Sequence, residues 1–417
     1  MALGPAGGAP RGRALLAILA LQVVLLSIGI TRDYRLKHED NNALHATFAR
    51  SHLRLGLGVT KAQNYFYSPA TGTGQFYAHH PPGPSLVLAA VYGVTGADGP
   101  VATRGTAILF HLLATWLFFG LARRVLAKDW EVWLAAAFFV VLPESAFFGR
   151  MMNHEVLALP PAILLVTAYW EAIRGDWATR RWMPALIGAS VWAAVSGWVG
   201  FFPIAACVAH GTWEATVRRN VRARAPLAVL IVCGGVLLGA DLAHLVWVLG
   251  GDIEYLGRLL SSRMSTDAAD GVGPRLARIL ELHWRYFGAT SLVALGALAW
   301  RTAGGLRRGG PRDPAVEVGS LFLLAGAAYV AVFNVNAARH DYWQFPLLPA
   351  SAIGLVLIVR WLLSGLRHGR RRAVWAALVG LVFLDVAASS LFMLSRRHGK
   401  TEGYCLTVVE QLRRNNL

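Results

Sequence analysis

The sequence predicts an all-α fold, a polytopic transmembrane bundle of about 11 spans. Three observations predict it. First, 55% of the 417 residues are hydrophobic and only 15% are charged, too apolar a balance for a soluble protein of this size. Second, apolar runs recur along the chain at the length a crossing needs, about 20 helical residues for a hydrocarbon core about 30 Å thick. Third, arginines collect in alternate links between those runs, as the positive-inside rule requires. That alternation accounts for the formal charge of +17 and excludes a nucleic-acid partner as its cause, since aromatic and basic residues do not interleave outside the loops. Cys207, Cys233 and Cys405 offer neither a metal spacing nor a disulfide framework. The first two lie in apolar runs, as small packing residues do.

Arg11 and Arg13 set the N-terminus on the cytoplasmic side. The first span, about 14–30, is expected to be retained, because no small-residue cleavage site follows it. Residues 31–101 then form a first extracytoplasmic loop. Within it, 42–57 mixes Leu44, Phe48, Leu53 and Leu55 with polar groups, which suits a helix lying in the interface. The stretch 84–94 is apolar but too short to cross, and reads as a second interfacial or re-entrant helix. Spans follow at about 102–122, 131–147, 156–173, 183–199, 201–217 and 226–249. A second long outer loop, 250–287, carries Arg258, Arg263, Arg275, Arg278 and Arg285 with Trp284 and Tyr286. That composition suits an amphipathic lid against anionic headgroups. Spans at about 288–300, 316–334, 344–364 and 373–394 complete one transmembrane domain, 1–394. Residues 395–417 read as a short tail with no separate soluble domain, and Arg396, Arg397 and Lys400 in it run against the charge rule.

Candidate chemistry concentrates in 31–82, the longest polar stretch between two apolar runs. The adjacent carboxylates Glu39 and Asp40 offer a general base, which partial burial would tune. Their plainer reading is a solvated acidic turn paired with Arg35 or Lys37. In His79-His80-Pro81-Pro82 the prolines open a helix, and the histidines sit at its N-terminus, where N–H groups and the dipole favour an anion such as phosphate. Simple capping is the alternative. Arg339-His340-Asp341-Tyr342 gathers donors at membrane level, where an arginine fork suits a lipid phosphate, or where Tyr342 and Trp343 merely form part of an aromatic belt. His154-Glu155 brings a second carboxylate to the outer side. With Glu39 and Asp40 it makes a mixed nitrogen and oxygen set for a divalent cation, although no spacing demands a metal. Asp241, His244 and Asp385 lie inside spans and are functional candidates by position, but Asp241 and His244, three residues apart, can satisfy each other.

In order along the chain stand Glu39-Asp40, Ala49-Arg50, Gly56, His80-Pro81-Pro82, Gly96, Arg104, Gly149-Arg150 with Glu155, and His340-Asp341-Tyr342 before Pro346-Leu347-Leu348-Pro349. Over residues 14–364 this series resembles the GT-C superfamily of integral-membrane glycosyltransferases, in the branch of protein O-mannosyltransferases and the lipid A aminoarabinose transferase. The resemblance implies a multi-pass protein of the cell (inner or plasma) membrane. It implies a sugar donor on a polyprenyl phosphate, used at the extracytoplasmic face, and a glycan, lipid or protein acceptor. By the same resemblance Asp40 or Glu39 is the base, and both stay candidates because the family's usual Asp-Glu order is reversed here. Glu155 matches the second acidic position. His80, with His79 beside it, matches the basic position that contacts the lipid phosphate, and Arg339, His340 and Tyr342 match the late basic-tyrosine motif. The soluble C-terminal domain of some relatives has no counterpart.

Physical chemistry supports the same assignment from the residues alone. A phosphate departs without a general acid, so one carboxylate and a cluster of cationic donors suffice for an inverting transfer, unlike hydrolases, which need a carboxyl pair. A divalent cation could assist the phosphate without being required. The rival reading is a polytopic transporter or lipid flippase, which should instead place polar groups and broken helices near the midplane.

Overall fold

The structure is a computed structural model that describes residues 8–34, 39–68, 71–174, 176–264, 271–308 and 313–364, with scattered positions between 373 and 388. The chain opens with α1 (Gly8–Ser27), followed by α2 (Glu39–Thr60), the strands β1 (Tyr65–Ser68) and β2 (Thr73–Phe76), and α3 (Gly83–Thr95). Then come α4 (Pro100–Val125), α5 (Asp129–Val141), α6 (Pro143–Phe148), α7 (His154–Ala172), α8 (Asp176–Ser196) and α9 (Phe201–Thr216). The second half comprises α10 (Arg224–Val248), α11 (Ile253–Met264), α12 (Val272–Phe287), α13 (Ala289–Arg308), α14 (Pro314–Val332), α15 (Asn334–Arg339), a 3-10 segment Asp341–Leu347, and α16 (Leu348–Ser364).

Among the described residues, five helical segments are long and apolar enough to cross a membrane: Pro100–Val125, His154–Ala172, Val221–Val248, Pro314–Val332 and Asp341–Ser364. They fall where the sequence places spans. Those expected at 14–30, 183–199, 201–217 and 288–300 coincide with α1, α8, α9 and α13. The run 131–147 is divided, because Pro143 cannot donate to the helix before it and instead starts α6. The expected last span, 373–394, lies largely outside the described residues, and the tail 395–417 wholly so. α10 turns Ile231, Val232 and Val236 outward, an apolar surface suited to lipid rather than water. The two short helices expected in the first loop are α2 and α3.

The expectation of an all-α chain needs one amendment. Tyr65–Ser68 and Thr73–Phe76 pair as an antiparallel hairpin, Tyr65 opposite Phe76. The run Tyr65-Phe66-Tyr67 has strand-forming residues, and Gly72 takes the positive φ of 65° that the turn requires.

α7 is the buried axis of the bundle and packs on α4 and α8. Its Pro160 and Pro161 leave carbonyls of the preceding turn without an intrahelical donor. One of these, on Leu157, accepts from the Ser196 hydroxyl of α8 at 3.4 Å, the kind of internal repair an apolar surround enforces. The two ends of the bundle differ. At one, arginines are clamped by carboxylates: Arg360 forks onto Glu131 (2.7 and 3.0 Å) and reaches Asp313 (2.6 Å), and Arg124 meets Glu171 (3.1 Å). At the other, α2, the hairpin, α3, α6, the start of α7, α12, α15 and the 3-10 segment enclose a polar mouth.

Candidate active site

The mouth is built on one buried arginine. Arg104, in the second turn of α4, is fully buried. Its guanidinium donates to Glu39 Oε2 (2.8 and 3.2 Å) and to the carbonyls of Ile30 (2.7 Å), Arg32 (2.5 Å) and Asp33 (3.3 Å). Arg150, in the turn before α7, approaches Glu39 Oε1 at 3.7 Å and donates to the Ile28 carbonyl. Asn42 completes the frame: its Nδ2 donates to Glu39 Oε2 (2.9 Å) and its Oδ1 accepts from the Met152 N–H (2.7 Å). Both oxygens of Glu39 are thus occupied by cationic partners. The work of Glu39 is to tie α2 to α4 and to the 149–153 turn.

Asp40, one residue on, faces elsewhere. Helical geometry turns successive side chains by about 100°, so Glu39 points into the frame while the half-buried Asp40 faces the mouth. There Tyr342, from the 3-10 segment, lies in the field of Glu155 and Asp40 and hydrogen-bonds Asn41. Glu155 is buried in the first turn of α7, and its Oε1 accepts from the Tyr329 hydroxyl at 2.7 Å. Tyr329 stacks on Trp343, centroids 4.9 Å apart. The helix start that aims Glu155 is fixed by Asn153, whose Oδ1 accepts from the Val156 N–H (2.9 Å).

His80 enters from the turn before α3. Its ring stacks on His154 at 4.4 Å and lies 6.4 Å from Trp343. His154 in turn meets His45 of α2 edge-on at 5.1 Å. Burial, reinforced by His154, holds the His45 imidazole well below its ordinary value. His340 is half-buried, its ring 5.4 Å from that of Tyr342. The structure therefore brings Asp40, Glu155, His80, His340 and Tyr342 to one mouth. His79 is placed differently: its ring packs on Tyr77 at 4.5 Å, beside the hairpin. Arg339 is exposed in the last turn of α15.

Three contributors escape sequence reasoning. Tyr329 sits deep in the apolar run of α14 with no polar neighbour to flag it. His45 reads as one of two histidines in α2. Glu144 hides at the end of an apolar span, yet is fully buried in α6 with neither carboxylate oxygen hydrogen-bonded. Asp341 and Glu155 face it. Asp40, Glu144, Glu155 and Asp341 make the mouth strongly acidic, and oxygen donors of this kind suit a hard divalent cation.

The polar groups expected inside spans do not join this site. His244 Nε2 donates to the Lys61 carbonyl (2.8 Å) rather than to Asp241. Asp385 accepts from the Thr290 N–H (3.1 Å) and hydroxyl (2.5 Å) at the start of α13.

No protein-family model matches the chain, and no curated protein does. Solved structures do match. An oligosaccharyltransferase from Archaeoglobus fulgidus, in complex with zinc and sulfate, aligns over 96% of this chain and 55% of its own, with a TM-score of 0.60 and 13% identity. The oligosaccharyltransferase AglB from the same organism, with an inhibitory peptide and a dolichol-phosphate, aligns over 98% of this chain and 59% of its own, TM-score 0.60, 12% identity. ArnT from Cupriavidus metallidurans, bound to undecaprenyl phosphate, aligns over 96% of this chain and 74% of its own, TM-score 0.59, 15% identity. The chain thus spans little more than half the length of the archaeal enzymes. At these identities the likeness shows the fold alone: the chain shares its fold with these three structures.

Proposed function

We propose that this protein is a multi-pass membrane glycosyltransferase that moves a sugar from a polyprenyl-phosphate donor to an acceptor hydroxyl at the extracytoplasmic face. One observation carries the reading: α2, α7 and the 3-10 segment bring Asp40, Glu155 and Tyr342 together at the end of the bundle away from its arginine clamps. The folds of an undecaprenyl-phosphate-bound and a dolichol-phosphate-bound enzyme support the donor class.

The residues divide the work. Asp40 accepts the proton of the acceptor hydroxyl as its oxygen attacks the anomeric carbon. The bond from that carbon to the phosphate oxygen breaks, and the electron pair leaves on the phosphate. A direct displacement of this kind inverts the anomeric centre. His80, His340 and Arg339 are the donors available to the departing phosphate, with His79 behind them, and charge-assisted bonds to it strengthen as charge develops. Glu155, fixed by Tyr329, orients the sugar or acceptor hydroxyls. Asp40, Glu144, Glu155 and Asp341 are the groups that would hold a divalent cation, and the unsatisfied carboxylate of buried Glu144 fits such a role. When bound, it supplies positive charge to the donor phosphate.

The transporter or flippase reading loses two of its three pointers here. His244 and Asp385 serve backbone and helix ends, whereas the candidate groups gather at one end rather than at the midplane.

Reconstitution with polyprenyl-phosphate sugars tests the proposal. Asp40→Asn is expected to lower transfer by at least 100-fold, within the range for loss of a general base, while donor binding persists. Turnover unchanged in Asp40→Asn removes Asp40 as base, and absence of transfer from any polyprenyl-phosphate donor by the wild type removes the donor class.

A further inference from the structure

Far from the mouth, a second cluster of ligand-type side chains closes the arginine-clamped end. His210 and Glu214 are four residues apart on α9 and so share one helix face. Glu317 comes from the first turn of α14. One donor atom from each lies within 4.8 Å of the others. Glu214 and Glu317 are buried and His210 nearly so. Tyr169, the residue whose hydroxyl meets His210 Nδ1 at 2.7 Å, lies fourteen positions beyond Glu155 on α7, about 21 Å along the helix at 1.5 Å per residue. The cluster is therefore distinct from the mouth.

We propose that His210, Glu214 and Glu317 form a binding site for a divalent transition-metal cation of the zinc class. The donor set is one imidazole nitrogen and two carboxylates, and mixed nitrogen and oxygen sites of three protein ligands suit that class. Tyr169 Oη beside Nδ1 is the outer partner a ligating histidine needs: it holds the ring and accepts from Nδ1–H once a metal takes the place of the Nε2 proton. Nε2 faces Glu317 Oε1 at 2.8 Å, where a hydrogen bond now joins α9 to α14. Among the described residues, Glu214 makes long polar contacts with Arg218 at 3.4 Å and Asn220 at 3.3 Å, so its oxygens keep lone pairs for a metal. The two carboxylates bring acceptor oxygens to one buried point beside an imidazole nitrogen, the setting a dication suits. His210 and Glu317 also line a cavity of about 970 Å³, with Trp213, Arg301 and Ser320. That cavity gives an exogenous ligand access to the remaining coordination position. A metal here fastens α9 to α14, with α7 supporting the ring.

Zinc titration of the chelator-stripped, full-length protein in nanodiscs tests this. Because the mouth offers carboxylates of its own, the background is Glu155→Gln with Asp341→Asn. In that background one equivalent of zinc is expected to bind and to raise the melting temperature. Adding Glu317→Gln, which preserves a hydrogen-bonding side chain, is expected to abolish both effects. Glu214→Gln provides the same reading if that variant does not fold, and Tyr169→Phe is expected to weaken binding about tenfold. Zinc binding that is absent from the background, or that survives Glu317→Gln and Glu214→Gln unchanged, overturns the proposal. Neither result bears on transfer at the mouth.

Discussion

At the scale of single residues, the adjacent pair Glu39-Asp40 shows how position on a helix divides similar side chains between structure and chemistry. Glu39 compensates fully buried Arg104 and approaches Arg150. Removing one partner of a buried ion pair strands the other charge and costs about 3–5 kcal/mol. Glu39→Ala is therefore expected to lower the melting temperature sharply and to reduce expression, whereas Asp40→Asn leaves folding intact. Paired thermal-denaturation and donor-binding measurements distinguish the two; equal stability of both variants would contradict the frame described above. The sequence flags both carboxylates but not their division of labour, because Arg104 lies 65 residues from Glu39 and reads as one more arginine opening a span. Glu155 and His80 are legible from local signals, an acidic residue at a helix start and a histidine before prolines. Tyr329 and Glu144 are not, because a polar group within an apolar run declares itself only once its partner is placed.

At the scale of elements, α2, α3 and the α8–α9 junction must approach closely for the mouth to form. Gly197 sits in that junction with φ of 147°, and a Cβ there would lie 2.8–3.0 Å from the His154 ring. Since His154 stacks on His80, Gly197→Ala is expected to displace the histidine pair and to weaken donor binding about tenfold or more, an effect of about 1.4 kcal/mol, within the range for overpacking. Unaltered binding would show that the stack does not position His80. His52 joins α2 to α3: its Nδ1 meets Thr60 Oγ1 at 2.8 Å and its Nε2 meets Ser85 Oγ at 3.3 Å. Burial lowers it to about 4. Its unfolded value is about 6.5, so between pH 4 and 6.5 the unfolded chain binds the extra proton. The contribution of His52 is complete above pH 6.5 and falls on acidification, by at most about 1.4 kcal/mol per pH unit. Thermal melts of the wild type from pH 7 to pH 4.5 should show this decline, with a shallower slope in His52→Gln. The hairpin between these helices is the element that hydrophobic periodicity passes over, since four-residue strands are too short to establish a period of two.

At the scale of the whole molecule, the bundle is electrically polarised along its axis. Arg360 and Arg124 with their carboxylate partners lie at one end, and Glu144, Glu155 and the stacked His80 and His154 gather at the other, beside the Arg104–Glu39 pair. This is the feature the sequence expresses best, because it follows from apolar run length and from the alternation of arginine, both of which survive without knowledge of tertiary contacts. What the sequence does not express is which runs face lipid: α7 is buried along nearly its whole length and α10 is largely exposed, although both are apolar enough to span. The polarity carries a prediction about orientation. If arginine clustering marks the cytoplasmic side, then Thr71, exposed in the hairpin turn, faces outward and Arg219, exposed after α9, faces inward. In a background with Cys207, Cys233 and Cys405 replaced by Ser or Ala, Thr71→Cys should react with a membrane-impermeant maleimide in intact cells, and Arg219→Cys only after permeabilisation. The reverse pattern would put Asp40 and Glu155 in the cytoplasm, where the proposed donor geometry would have to be abandoned while the fold stood. Labelling of both positions in intact cells would mean that the two ends do not lie on opposite sides of the bilayer, and would remove the transmembrane arrangement of α9.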